Sequence, residues 1–123
     1  MLENDYIVKQ INIIIDFLCR VLFKKDTYVF SNIKDENGNI TDAGELYLHI
    51  HSLLDKGMIN KAEDVLFSAI DKEKKPEYLE IAVDFYGTLN DTADSFLEDN
   101  DFSRAEISDG IKDIKRLYNL EVL

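Results

Sequence analysis

An all-α fold of about six helices is what this sequence predicts, and three observations carry the prediction. Apolar residues recur three and four positions apart through most of the chain, the period of helices with a buried face. Helix starts and stops fall between those stretches: Gly57, Asn60, Pro76, Asp91, and Ser103 with Glu106 three residues on. Proline and glycine number only one and five in 123 residues, so little interrupts the helical pattern, and disorder is expected only at the ends and in one loop. The length suits a single domain, residues 1–123, with a core of its own.

The first helix is expected from Asp5 to Lys25, with Asn4 as its cap. Ile7, Ile11, Ile14, Leu18 and Val21 form a stripe, widened by Ile15, Cys19, Leu22 and Phe23 on one side and by Ile13 and Phe17 on the other. Lys9, Asn12, Asp16 and Arg20 leave only a narrow polar strip. An ordinary surface helix buries about 100° of its circumference, so this one needs cover on two sides. Either later helices wrap it or a second copy of the chain covers the remainder. Residues 25–40 then read as a polar loop. Tyr28–Ile33 has strand-like composition beside an Asn37-Gly38 turn, but no partner strand is specified.

A helix pair is expected over 41–72. Thr41 opens it, with Asp42 and Glu45 favourable to the helix dipole. Gly44 within that first turn costs about 1 kcal/mol relative to alanine. Leu46, Tyr47, Ile50, Leu53 and Leu54 make one apolar stripe, Gly57 ends the helix, and Asn60 with Glu63 resembles a capping box for the next. Ala62, Val65, Leu66, Ala69 and Ile70 make the second stripe, and the two small alanines let the helices approach closely. Further helices are expected over 76–118. Pro76 opens the fourth, which buries Tyr78, Ile81, Ala82, Phe85, Tyr86 and Leu89 and runs to about Asn90. Asp91 caps a short fifth, Thr92–Asp99, buried through Phe96 and Leu97. Ser103 caps the sixth, whose stripe is Ile107, Ile111, Ile114, Leu117 and Tyr118; the tail 119–123 is expected to fray.

The spacing Gly57, Ile59, Ala62, Leu66, Ala69, Ile70 resembles the second half of a tetratricopeptide repeat, although Ile50 and His49 depart from the first half of that pattern. The resemblance implies antiparallel helical hairpins stacked in a right-handed array, with the first helix along it. Leu54–Ala62 (LDKGMINKA) is similar to Leu97–Ala105 (LEDNDFSRA), 43 residues on, which supports a repeat reading. The opening pattern NDYI…QI…FL…LFKKD, a polar loop and the helix pair together resemble a family of small uncharacterised bacterial helical proteins. That resemblance implies the fold and no activity.

The net charge of −11 repels phosphate backbones and anionic lipid, so neither nucleic acid nor membrane is an expected partner. The single Cys19 cannot form an internal disulfide, and the acidic start lacks the basic region of a secretory signal; a cytoplasmic setting is expected. Chemistry-bearing clusters are weak. Asp35, Asn37, Asn39 and Glu45 imitate a calcium loop, but Ile40 stands at the glycine position and Glu45 at the eleventh place rather than the twelfth. His49 and His51 point about 200° apart on a helix. Glu45 and His49 share a face and would supply half a metal site without the second pair that helical metal proteins provide. Glu77, Glu80 and Asp84 read as a solvated acidic strip. No catalytic residue, metal ligand or cofactor site is therefore assigned. The expected function is a non-catalytic protein–protein interaction module, with Tyr47 and Tyr86 as candidate partner contacts. The alternatives are a structural homodimer through the first helix, or a small metal-binding protein using Glu45 and His49.

Overall fold

A computed structural model describes residues 2–122, and side chains from Asp5 to Val122. Among them are six α-helices and no strand: α1 (Leu2–Leu18), α2 (Asp42–Asp55), α3 (Ile59–Lys72), α4 (Pro76–Asn90), α5 (Asp94–Asp99) and α6 (Arg104–Leu117). A π-helical turn, Cys19–Phe23, prolongs α1 until Lys24 turns left-handed at φ 56°. The first helix thus starts ahead of its expected bound. Asn4 lies inside it rather than at its cap, and the Asn4 side chain is outside the described residues.

α4 is the centre of the fold. It packs against α1, α2, α3 and α6, and its buried residues run almost without a break from Leu79 to Asn90. A helix buried on every side must satisfy its polar groups internally. The Asn90 side-chain NH2 does so by donating to the Val8 carbonyl (3.1 Å) and to Asn12 Oδ1 (2.9 Å), which ties α4 to α1, whereas its buried Oδ1 has no hydrogen-bond partner among the described residues. The Arg104 guanidinium closes the C-terminal end of α4. It donates to the carbonyls of Leu89, Asn90 and Thr92 and makes a two-pronged contact with the Asp94 carboxylate. A cation there also complements the helix dipole.

α2 gives way to α3 at Gly57. Its N–H reaches the Leu54 carbonyl (2.9 Å) and the Met58 N–H reaches Leu53 (2.9 Å), with Gly57 at φ 75°, a conformation that an L side chain resists. Ala62 is buried and Ala69 is half-buried. The expected Asn60–Glu63 box is absent. The cap falls two residues earlier, at Met58, so that the helix begins at Ile59; the Asn60 amide donates to the Asp101 carbonyl, and Glu63 turns inward to Tyr86. Asp91 likewise does not open α5: it closes α4 and accepts a hydrogen bond from Tyr28, and α5 begins at Asp94. At α6 the Ser103–Glu106 box is present, with both of its hydrogen bonds. The segment after α6 is held as far as Leu120, whose N–H reaches the Lys115 carbonyl, instead of fraying from Asn119; Leu123 lies outside the described residues.

The alignment at an offset of 43 does not describe equivalent positions. The left-handed residue matching Gly57 is Asp101 (φ 56°), 44 residues later, and the cap matching Met58 is Ser103, 45 later. The intervening turn is therefore longer. Ala105, aligned with buried Ala62, faces solvent, and Ile107 takes the core place instead.

Residues 24–41 form a docked strap with no regular structure beyond one bridge, Lys34 to Ile40, which closes the Asn37-Gly38 turn. The Tyr28 ring lies so close over α4 that a Cβ on Gly87 would stand 2.6 Å from it. The Ile33 carbonyl lies where a Cβ on Gly44 would be, at 2.2 Å. Gly44 therefore trades helix propensity for the passage of the strap over α2. Phe30 is inserted into the core.

Candidate functional site

Two places in the molecule have the makings of a site: a polar cluster in the interior and an apolar face outside. The interior cluster centres on Asp84, only 1% exposed although the sequence places it on a solvated strip with Glu77 and Glu80. The chain folds this way because Ile81–Leu89 contains no other charged residue and α4 is enclosed. Asp84 Oδ2 accepts the Phe30 N–H (2.9 Å) and Oδ1 meets His51 Nε2 (2.7 Å), with Thr88 Oγ1 donating to Oδ1 at 3.4 Å. Tyr47 completes the cluster, its ring 4.4 Å from His51 and 5.3 Å from Phe30, centroid to centroid. Burial pushes the Tyr47 phenol above its ordinary value, and the Asp84 charge adds to the effect.

His51 also borders a cleft of about 300 Å³ with Leu54, Asp55, Thr88, Leu89, Thr92 and Phe96. A carboxylate-oriented imidazole becomes a general base when a nucleophile is presented to its other nitrogen. Here the two cleft hydroxyls serve the fold. Thr88 donates to Asp84, and Thr92 donates to the Thr88 carbonyl at 2.7 Å. What the cluster does chemically is pin the strap: one carboxylate gathers α2, α4 and the backbone of Phe30.

The residues singled out from sequence are dispersed. Tyr86 is 1% exposed, with its hydroxyl donating to Glu63 (2.6 Å), so it fills the core and cannot line a surface groove. Burial drives its phenol far above the ordinary range and also raises the Glu63 carboxyl, which the Tyr86 hydrogen bond partly offsets. Tyr47 is half-buried under the strap. Glu45 and His49 are exposed on α2, and among the described residues no three of His, Cys, Asp and Glu converge to hold a metal ion. Asp35 Oδ1 accepts the N–H groups of Asn37 and Asn39, the self-contained bonding of a polar turn. Cys19 is buried, and burial raises its thiol away from the reactive thiolate form.

The exterior place is the outer face of α1. Tyr6, Ile13, Phe17 and Val21 are 66%, 63%, 45% and 39% exposed, whereas Ile11, Ile15 and Leu18 on the opposite side are in the core. At about 100° per residue, Tyr6, Ile13 and Phe17 fall within about 40° of arc. Gln10 interrupts the stripe, and Lys9 and Arg20 edge it. Isolated exposed apolar residues are ordinary on a protein surface; these recur along one face of a single helix, broken at Gln10.

Fold and geometry together show a helical protein with a hydrogen-bonded polar cluster in its interior and an exposed apolar stripe on its first helix. A protein-family model matches residues 1–119, and the chain belongs to that family, a family of unknown function (DUF6483). No curated protein and no solved structure matches the chain. Among the described residues no helix is long and apolar enough to cross a membrane.

Proposed function

We propose that the chain is a non-catalytic helical interaction module that works through the outer face of α1. One observation carries this reading: Tyr6, Ile13, Phe17 and Val21 form an uncovered apolar stripe on a helix whose other side is in the core. The stacked, tetratricopeptide-like arrangement of antiparallel hairpins belongs to the same reading. It is supported by the Gly57 closure, the packing of α2 on α3 with Ala62 of α3 buried, and a second left-handed closure at Asp101. A cytoplasmic setting fits the lone buried cysteine and the acidic surface.

The test is affinity capture from the native cell with wild type and with Phe17→Asp, a substitution at an exposed position that leaves the core intact. The reading expects bound protein to be retained by wild type and lost by the variant. Equal retention by both, or none above background for wild type, overturns it.

A further inference from the structure

From the charge pattern along α1 we infer that the occupant of its outer face is a second copy of the same chain, with the two α1 helices antiparallel. The inference rests on the proposed role of that face. Its independent support is electrostatic. Met1–Lys25 carries Lys9, Arg20, Lys24 and Lys25 against Glu3, Asp5 and Asp16, a balance of +1 in a chain of net charge −11. α6, which packs beside α1, is likewise balanced, with Arg104, Lys112, Lys115 and Arg116 against Glu106, Asp109 and Asp113. The acidic excess therefore lies between them in sequence, over residues 26–103. Two copies meeting through most other surfaces bring like charge together; meeting through α1, they do not.

The order of charges sets the direction. Exposed Asp5 stands at the start of the stripe, and exposed Arg20 and Lys24 stand at its end. A parallel pair would align Asp5 with Asp5 and Lys24 with Lys24. An antiparallel pair places each Asp5 near the basic end of the other helix, opposes the two helix dipoles, and is closed by a two-fold axis. Each contact then occurs twice. The axis passes near Ile13 and Phe17, the middle of an apolar run about 22 Å long by helical rise. A single pair of helices this short makes a small interface, so the dimer is reversible and depends on concentration.

Sedimentation equilibrium of the full chain over a wide concentration range tests this. Wild type is expected to pass from the mass of one chain to that of two, and Phe17→Asp to remain at one chain with an unchanged helical circular dichroism spectrum. Asp5→Lys and Lys24→Glu are each expected to weaken association by about tenfold, because each reverses two contacts per dimer. The double variant Asp5→Lys/Lys24→Glu is expected to recover most of the wild-type affinity. Dimerisation that Phe17→Asp leaves intact overturns the interface, and a double variant as weak as the single ones overturns the antiparallel arrangement. A chain that stays single yet loses captured protein on Phe17→Asp overturns the second-copy occupant alone. A chain that stays single and captures nothing through this face overturns the broader reading with it.

Discussion

α1 and α4 are of similar length, 17 and 15 residues, and both are rich in large apolar side chains. α4 is enclosed by four other helices and carries a carboxylate and an amide into the core with it. α1 packs on α4 and α6 through one side and leaves Tyr6, Ile13 and Phe17 in solvent on the other. The difference lies in what each helix does with the groups that do not suit its surroundings. In α4 the buried carboxylate is supplied with donors from the strap and from α2, and the Asn90 NH2 with acceptors from α1, which offsets much of their desolvation cost; only the Asn90 Oδ1 is left without a partner among the described residues. In α1 the exposed apolar groups gain nothing from the rest of the chain. A helix that carries polar groups inward with partners is a finished piece of core; on the proposed reading, a helix that carries apolar groups outward without partners is one side of an interface.

The sharpest way to break this contrast is a pair of truncations. Phe85→Ala, at a fully buried site on α4, is expected to cost about 3–5 kcal/mol in urea unfolding. Phe17→Ala, in dilute protein, is expected to stay within about 0.5 kcal/mol of wild type. Similar losses at the two sites would mean that α1 is covered within one chain.

The Asp84 cluster gives the next largest effect. Asp84→Ala leaves the Phe30 N–H and the His51 imidazole without their acceptor and is expected to cost about 1–3 kcal/mol. Amide hydrogen exchange at Phe30 and its strap neighbours should accelerate with it. Unchanged exchange would show that the strap is held without the carboxylate. Gly87→Ala is expected to cost about 1–3 kcal/mol by pushing Tyr28 off α4. In Gly87→Ala/Tyr28→Ala the two effects should fall well short of additive, since the clash has been removed.

The smallest effect at neutral pH concerns the tyrosines. Burial pushes the Tyr118 phenol up to about 12 and raises Tyr28 and Tyr86 further. A raised folded-state value favours the neutral phenol, so this stabilisation is complete below the free-tyrosine value of about 10 and is lost as pH rises through the folded values. Phenolate absorbance should therefore lag behind that of the unfolded chain above pH 10, and urea stability should fall over the same range. Coincident titrations of folded and unfolded protein would contradict the burial of these rings.

Signals confined to one turn of helix are legible in the sequence alone. The Ser103–Glu106 cap, the Thr41 start, the Gly57 stop and Pro76 each depend on residues no more than three or four apart. The unusual breadth of the α1 stripe is legible as well, and it points to the open face. Contacts that close over long sequence separations are not. His51 and Asp84 are 33 residues apart and carry no mutual period, and the strap that meets Asp84 through the Phe30 N–H reads as a polar loop because only Phe30 is fully buried in it, with Tyr28 and Ile33 partly so. The available signal is the lone acid in IAVDFYGTL, where Asp84 is surrounded by residues that cannot all avoid the core. Arg104 gives no local hint, since its partners are carbonyls at the end of another helix.

Hydroxyl-radical footprinting of the full chain at low and high protein concentration tests the central contrast most directly. The account predicts that Tyr6 and Phe17 are oxidised in dilute protein and protected in concentrated protein, with Phe85 and Tyr86 protected in both. Oxidation of Tyr6 and Phe17 that does not change with concentration, or oxidation of Phe85 and Tyr86 in the folded chain, would contradict it.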